Sequence, residues 1–236
     1  MVKDPGKRYS WQMFNRIAKT YDLVNLLLSF GLDTLWRKKV GRLVPDRPGL
    51  AVLDLATGTG DQILSLWKNC SPNIEKGTGM DLSEGMLEIG RKKIEERNLQ
   101  EVIEMEVGDA TDIPADPGSY DAVTISFGIR NVPDVPASLR EMHRILRPSG
   151  KALILEFSMP SNPLVRWGHL AYLRYVLPFV GGAVSGDFEA YRYLNTSIES
   201  FPYGRDFCRL MEEAGFDTVV AHPVSLGIAT IYEGVR

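Results

Sequence analysis

The sequence is poor in cysteine and has no excess of basic residues. Its 236 residues include 2 cysteines, Cys70 and Cys208, which lie far apart and show no paired Cys/His spacing. A disulfide framework and a structural zinc site are therefore not expected, and a reducing compartment is favoured. Lysine and arginine number 27 against 30 acidic residues, a net charge of −3. This balance lacks the basic surface typical of nucleic-acid-binding proteins, so we expect neither a metal nor a nucleic-acid partner.

Long hydrophobic runs are also missing. The first residues show no apolar segment of the secretory-signal type. The most hydrophobic stretch, 164–180, is interrupted by Arg166, His169 and Arg174, and we expect Gly181-Gly182 to end it. A membrane span needs about 20 predominantly apolar residues. With 44% hydrophobic and 24% charged residues, the composition is that of an ordinary globular protein. We therefore expect a cytoplasmic enzyme.

The order of the hydrophobic patterns predicts an α/β fold. Residues 9–44 carry apolar side chains at three- and four-residue steps, which is typical of helices. From residue 50 onward, short apolar runs alternate with helical stretches, which predicts a mostly parallel sheet with helices on both faces. We expect an N-terminal helical cap over 1–48 and one main domain over 49–236, with an insertion that covers the substrate at about 160–200. The predicted strands are 50–53, 77–81, 102–107, 120–126, 151–157, 216–224 and 228–235.

A glycine-rich turn follows the first predicted strand. Glycines at 58 and 60, on either side of Thr59, allow the backbone to turn sharply and to approach a ligand closely. Ile63 stands where the dinucleotide fingerprint GxGxxG requires its third glycine, which disfavours an NAD-dependent oxidoreductase. Two close glycines are equally consistent with a simple tight turn.

The ends of the next three strands carry groups suited to a nucleoside. Asp81 ends the second strand, where a carboxylate can accept both hydroxyls of a ribose, and Ser83 is expected to cap the helix that follows to about Asn98. Asp109 follows the third strand and, with the backbone amide of Ala110, can bind an adenine edge, and Ser126 ends the fourth strand. Each aspartate alone is consistent with a helix cap or a turn. Together they favour a nucleoside ligand at the carboxyl edge of the sheet.

The pattern Asp54-x3-Gly58-x-Gly60, with Asp81 and Gly108-Asp109-Ala110, resembles the S-adenosylmethionine site of class I methyltransferases. The resemblance implies a Rossmann-like seven-stranded sheet with a reversed last strand, S-adenosylmethionine as cofactor and S-adenosylhomocysteine as product. It leaves two roles for Asp54, contact with the methionine ammonium or support of the loop. Ala56 departs from a full GxGxG. The implied cofactor-binding residues are Asp54, Gly58, Thr59, Gly60, Asp81, Asp109, Ala110 and Ser126.

Further stretches resemble the ubiquinone/menaquinone biosynthesis C-methyltransferases. Residues 21–36, beginning Tyr-Asp-Leu-Val-Asn, are similar to that family's YDxMNxxxSxxxHxxW, and 124–132 match TISFGxRN. Residues 144–158 are similar to RVLKPGGxxxxLEFS, and 187–194 resemble the family as well. The likeness extends from about residue 9 to the end. It implies C-methylation of a prenylated quinol, above all demethylmenaquinol, although the same motifs serve benzoquinols.

Three positions depart from the family pattern. Val24 replaces a methionine of similar volume, and Ser149 replaces the first glycine of the PGG turn. Asp33 stands where the family usually has histidine, which exchanges an imidazole for a carboxylate. We interpret position 33 as structural.

The resemblance also implies catalytic residues. Arg130 follows the fourth strand and, because a guanidinium stays protonated, is expected to stabilise a quinol oxyanion. Tyr21 and Asp22 on the cap are expected to orient the quinol or relay its proton, with Asn131 beside them. Each has a purely structural alternative: an ion pair of Arg130 with a carboxylate such as Asp134, a core tyrosine, and a turn cap at Asn131. The histidines at 143, 169 and 222 match no catalytic spacing.

The aromatic segment after Pro160 has no role in a nucleoside site. Its aromatic residues are typical of a core, yet a prenyl chain also needs an apolar groove, and we expect 160–183 and the cap to line one. With Arg166 and Arg174, this segment can also rest peripherally against a membrane. Two other functions remain open: methylation of another small molecule, and a non-enzymatic lipid-binding protein on the same fold.

Overall fold

The structure, a computed structural model, describes residues 9–236, so residues 1–8 of the predicted cap lie outside the described residues. Its centre is a seven-stranded sheet in the order β3-β2-β1-β4-β5-β7-β6. Strands β1 to β5 are parallel, whereas β7 runs antiparallel between β5 and β6. The predicted fold class and the reversed last strand are confirmed. The strands are β1 Leu50–Leu55, β2 Ile74–Asp81, β3 Ile103–Val107, β4 Tyr120–Ser126, β5 Leu146–Phe157, β6 Thr218–Val224 and β7 Ala229–Val235.

Helices cover both faces of this sheet, and each face carries its own hydrophobic cluster. Ser83 begins one of them as predicted, because its hydroxyl accepts a hydrogen bond from the Met86 amide. The helices are α1 Ser10–Ser29, α2 Leu32–Gly41, α3 Asp61–Cys70, α4 Glu84–Glu95, α5 Val135–Ile145, α6 Pro163–Ala171, α7 Leu177–Ser185, α8 Phe188–Ser200 and α9 Arg205–Glu213, with a π-helical turn over Tyr172–Val176.

The predicted helical cap consists of two helices, and they pack in different places. Helix α2 belongs to the main core, since Trp36 and Val40 lie in one of the sheet's hydrophobic clusters. Helix α1 instead packs on residues 163–200, which we call the cover. Ile17 and Val24 of α1 share a third cluster with Leu173 and other residues of the cover. Helix α1 and the cover therefore enclose the space above the sheet edge.

The prediction that Gly181-Gly182 ends the hydrophobic segment is wrong. Helix α7 continues through both glycines to Ser185. A side chain at either position would clash with the ring of Tyr191 or Phe188 on α8, so these glycines permit close helix contact and do not break the helix. Leu173 and Leu177 of this segment are buried, whereas its aromatic residues Trp167, Tyr175 and Phe179 are exposed.

No helix within residues 9–236 combines the length and the apolar character that crossing a membrane requires.

Candidate active site

Two adjoining cavities lie at the carboxyl edge of the parallel strands. The larger, about 510 Å³, is bounded by the ends of β1, β2 and β4, and we call it the strand-end cavity. The smaller, about 290 Å³, lies beneath α1 and the cover, and we call it the covered cavity. Phe14, Tyr21 and Phe127 line both. Two ligands seated here would therefore meet at a shared aromatic wall.

The strand-end cavity contains five of the eight residues predicted to bind a cofactor. These are Gly58, Asp81, Asp109, Ala110 and Ser126. They come from four different segments, which is how an open α/β sheet forms a ligand crevice.

Asp81 is held in place by backbone amides. Its carboxylate accepts hydrogen bonds from the amides of Gly58 at 2.9 Å and Ser83 at 2.8 Å. Burial raises the pKa of this carboxyl, while the amide hydrogen bonds oppose the shift. Asp109 is oriented similarly, since it accepts from the amide and the hydroxyl of Thr111, both at 2.8 Å. Both carboxylates are thus fixed before any ligand binds.

The turn at the cavity contains backbone conformations that side chains rarely adopt. Ala56, the departure from GxGxG, has φ 46°, and Phe127 in the shared wall has φ 59°. A Cβ at Gly128 would lie 2.5 Å from that of Ala56, so only glycine fits there. Strained residues of this kind each cost about 1–3 kcal/mol and cluster at functional sites.

Three predicted cofactor residues, Asp54, Thr59 and Gly60, line neither of the two cavities described. Asp54 is fully buried. Its carboxylate accepts hydrogen bonds from the hydroxyls of Thr57 and Thr124, both at 2.6 Å. Of its two suggested roles, this geometry favours support of the loop. Burial raises the pKa of Asp54 to about 6, although the two hydroxyls oppose the shift.

Replacement of Asp54 by asparagine is expected to stabilise the protein at neutral pH. The folded pKa of about 6 lies above the unfolded value, so the ionised carboxylate lowers stability progressively between about pH 4 and 6 and fully above that window. Asparagine avoids this cost and can still bond both hydroxyls. Urea unfolding should show a gain about 2–3 kcal/mol larger at pH 7.5 than at pH 4. Unchanged S-adenosylmethionine affinity would support the loop role, whereas weaker binding would assign Asp54 to the ligand's ammonium.

Asp22, predicted to be catalytic, joins helix α1 to the glycine-rich turn. It accepts from the Thr59 hydroxyl at 2.6 Å and pairs with Lys93 at 2.6 Å. Lys93 also contacts Asp61 at 2.7 Å. Asp22 does not line either of the described cavities. This arrangement favours a structural role for Asp22, which we call the latch, in which its contacts hold α1 against the core.

Replacement of Asp22 by asparagine distinguishes the latch from catalysis. Asparagine keeps an acceptor for Thr59 but weakens the contact with Lys93. We expect faster amide hydrogen exchange in α1 and less than about a tenfold change in kcat. A loss of about 10²-fold or more, typical of a general acid–base residue, with unchanged exchange would instead place Asp22 in the chemistry.

The covered cavity is largely apolar but contains the Arg130 guanidinium. Arg130 is 3% exposed and donates to Glu156 at 2.7 Å and to the Phe127 carbonyl at 2.6 Å. The anticipated ion pair thus exists, with Glu156 as the carboxylate where Asp134 was suggested. Burial raises the pKa of Glu156, and the charge of Arg130 opposes that shift. The Nε of Arg130 is buried and has no hydrogen-bond partner among the described residues.

Tyr21 and Asn131 stand between the two cavities. Tyr21 lines both, and burial raises the pKa of its phenol, so it is a hydrogen-bond donor at neutral pH. Asn131 lines the strand-end cavity and accepts from the hydroxyl of Tyr193, which lines the covered cavity. Both positions suit residues that orient two ligands against each other.

Sequence reasoning missed Glu156 and Lys93. Glu156 lies in the apolar run 152–157 at the end of β5. Its carboxylate indicates a buried ion pair, because a buried charge requires a partner. Lys93 gave none, since a lysine on a helix is ordinarily solvated.

Comparison with known proteins identifies the chain's relatives. Residues 3–236 match the model of the ubiE/COQ5 methyltransferase family. The ubiquinone/menaquinone biosynthesis C-methyltransferase UbiE of Geobacter sulfurreducens is 42% identical over 235 residues, which is 100% of this chain and 91% of that protein. The demethylmenaquinone methyltransferase of Thermotoga maritima is 43% identical over 97% of this chain and 96% of its own.

The chain belongs to the ubiE/COQ5 methyltransferase family. It is therefore an S-adenosylmethionine-dependent methyltransferase, as the sequence predicts. Solved structures agree on the fold. An S-adenosylmethionine-dependent methyltransferase of Methanococcus maripaludis has a TM-score of 0.65 at 20% identity, covering 93% of this chain and 91% of its own. One from Thermotoga maritima has a TM-score of 0.65 at 20% identity, covering 96% and 99%.

Membership of the ubiE/COQ5 family makes S-adenosylmethionine the methyl donor. The volume of the strand-end cavity and its two fixed carboxylates fit this molecule.

Proposed function

We propose that the protein transfers a methyl group from S-adenosylmethionine to a ring carbon of a prenylated quinol in menaquinone or ubiquinone biosynthesis, with demethylmenaquinol as the preferred substrate. The names of its relatives point to this reaction, and the observation in this chain that supports it is the covered cavity. An apolar space with a buried guanidinium adjoins the donor site through a shared wall.

In the proposed complex, the nucleoside of the donor lies in the strand-end cavity. Asp81 accepts the ribose hydroxyls, and Asp109 with the amide of Ala110 binds the adenine edge. The methyl group then points to the wall formed by Phe14, Tyr21 and Phe127. S-adenosylhomocysteine is the product that remains in the cavity after transfer.

The quinol ring occupies the covered cavity, where Arg130 makes its carbon nucleophilic. A phenolic hydroxyl has a pKa of about 10, and a guanidinium beside it in an apolar space favours the phenolate, whose charge spreads onto the ring while the proton leaves to solvent. After methyl transfer the hydrogen on the methylated carbon leaves as a proton and the phenolic oxygen is protonated again, so the ring regains its aromaticity and one proton is released in all. Tyr21 donates to the same oxygen or orients the ring. Because the sulfonium already activates the methyl group, alignment of the two ligands can supply about 7–11 kcal/mol of the barrier reduction.

The prenyl chain leaves the covered cavity toward an apolar surface of the cover. Phe30 at the cavity rim is 80% exposed, and its ring lies 6.3 Å from that of Tyr172, another lining residue. Trp167, Tyr175 and Phe179 continue this surface at helical spacing and are 69–75% exposed. We assign these residues to a peripheral contact with the bilayer that holds the substrate.

Removal of two of these aromatic residues tests the bilayer contact. Phe30→Ser combined with Trp167→Ser should weaken flotation with phosphatidylglycerol-containing vesicles by tenfold or more, since each buried ring is worth about 1.5–3 kcal/mol. Val220→Ser on the edge strand β6 is the matched control, being an exposed apolar residue far from the cover. Equal flotation of all three proteins would reject the contact.

The proposed reaction is tested by mass analysis of cellular quinones. A strain without this protein should accumulate quinones lacking one ring methyl group, and the expressed chain should restore the methylated form. A quinone pool that is identical with and without the protein would reject the substrate class and favour methylation of another small molecule.

A further inference from the structure

The covered cavity is lined by a buried histidine, His169. It lies on α6 and is 7% exposed. Its Nε2 has no hydrogen-bond partner within residues 9–236. Burial lowers the pKa of this imidazole, so the ring is neutral at pH 7 and Nε2 can donate or accept a hydrogen bond according to tautomer. A buried polar atom without a partner is uncommon and is often completed by a ligand.

Other cavity residues with partnerless atoms are already compensated. The guanidinium of Arg37 faces Asp33 at 3.8 Å, and Arg130 bonds Glu156 through another nitrogen. The hydroxyl of Tyr191 interacts with that of Ser185. The Nε2 of His169 has no such contact within residues 9–236. A hydrogen bond from a polar ligand atom would therefore satisfy the imidazole of His169, which the described residues leave without a partner at Nε2.

The cover holds His169 firmly in position. The π-helical turn at Tyr172–Val176 begins three residues later, and the Tyr172 hydroxyl donates to the Leu28 carbonyl of α1 at 2.6 Å. Turns of this type occur frequently at functional sites. The backbone that carries His169 is thus fastened to the helix on the other side of the cavity.

A quinol presents two oxygens to its site, at opposite ends of the ring. Arg130 can face one of them, and the second must either find a polar partner or lose its hydration without compensation. We infer that His169 binds this second ring oxygen through Nε2 and so selects quinols over phenols with a single hydroxyl. This role rests on the proposed function, and it adds a substrate-binding residue on the cover.

The inference is tested by kinetics of His169→Phe and His169→Gln with demethylmenaquinol. Phenylalanine keeps a ring but cannot bond, so KM for the quinol should rise about tenfold, the usual effect of one neutral hydrogen bond, while KM for S-adenosylmethionine stays constant. Glutamine should restore most of the affinity. Since His169→Phe removes a buried unsatisfied atom, its thermal unfolding midpoint should stay the same or rise, which separates lost binding from lost structure.

His143→Gln is the matched control, because His143 packs on Phe216 away from both cavities. Labelled imidazoles give a second readout. With three histidines in the chain, the quinol should shift the Nε2 resonance of His169 and leave the others unchanged. Wild-type KM in His169→Phe, or an unshifted resonance in an active enzyme, overturns the inference and leaves the proposed function standing. A wild-type protein that methylates no quinol overturns both.

Discussion

Replacing Arg130 and Glu156 together by methionine and glutamine is expected to lower kcat by about 10²–10³-fold, the usual cost of removing a charge-stabilising donor. The double substitution is needed because the two side chains form a buried pair, 3% and 1% exposed. Arg130→Met alone would leave Glu156 uncompensated and cost about 3–5 kcal/mol of stability. The double variant removes both charges, so it should remain folded.

Affinity for S-adenosylmethionine should be almost unchanged in this double variant, since Arg130 lines the covered cavity and not the strand-end cavity. Arg147→Met with Asp121→Asn is the matched control. It removes a different arginine–carboxylate pair at the other end of β4, where the fully buried Asp121 also pairs with Arg47. Near-wild-type kcat in the Arg130/Glu156 variant would remove the oxyanion role from the mechanism.

Asp81→Ala is expected to raise the dissociation constant of S-adenosylmethionine by about 10²-fold or more, since each hydrogen bond to a charged carboxylate is worth about 1.5–3 kcal/mol. S-adenosylhomocysteine should lose as much affinity, because it carries the same ribose. At saturating donor, kcat should change far less, since Asp81 lies at the nucleoside and not at the reacting atoms. Isothermal calorimetry with both ligands measures the effect.

Glu106→Ala provides the comparison for Asp81. It lies near the end of the neighbouring strand β3, is exposed, and does not line either described cavity. Thermal melts without ligand should accompany the calorimetry, because Asp81 also anchors the amides of Gly58 and Ser83. A folded Asp81→Ala protein with wild-type affinity would contradict the proposed position of the ribose.

The fold was predictable because its signals are local. The apolar runs, the Ser83 cap and the closing strand pair each depend on nearby residues, and parallel strands then bring their carboxyl ends to one edge. Asp81, Asp109 and Ser126 could be placed for that reason. Family resemblance added the identity of the donor and the substrate class.

The remaining features depend on contacts between distant segments. The partner of Arg130 is Glu156, 26 residues further along the chain, and only the pairing of β4 with β5 brings them together. Asp22 pairs with Lys93 on α4. Sequence periodicity could place this helix in the chain, but it could not show which of its side chains contact α1. The prediction for Gly181 and Gly182 was wrong because the reason for glycine at these positions is the close contact with aromatic rings on α8, which the local sequence does not show.

The most direct test of the account is methyl transfer in vitro from labelled S-adenosylmethionine to demethylmenaquinol, with the label located by mass fragmentation. The account predicts a label on the ring carbon, stoichiometric S-adenosylhomocysteine, and turnover that falls in the Arg130/Glu156 variant while donor binding persists. A label on a quinol oxygen, or tight donor binding without transfer to any quinol, would contradict the pairing of the two cavities as donor site and quinol site.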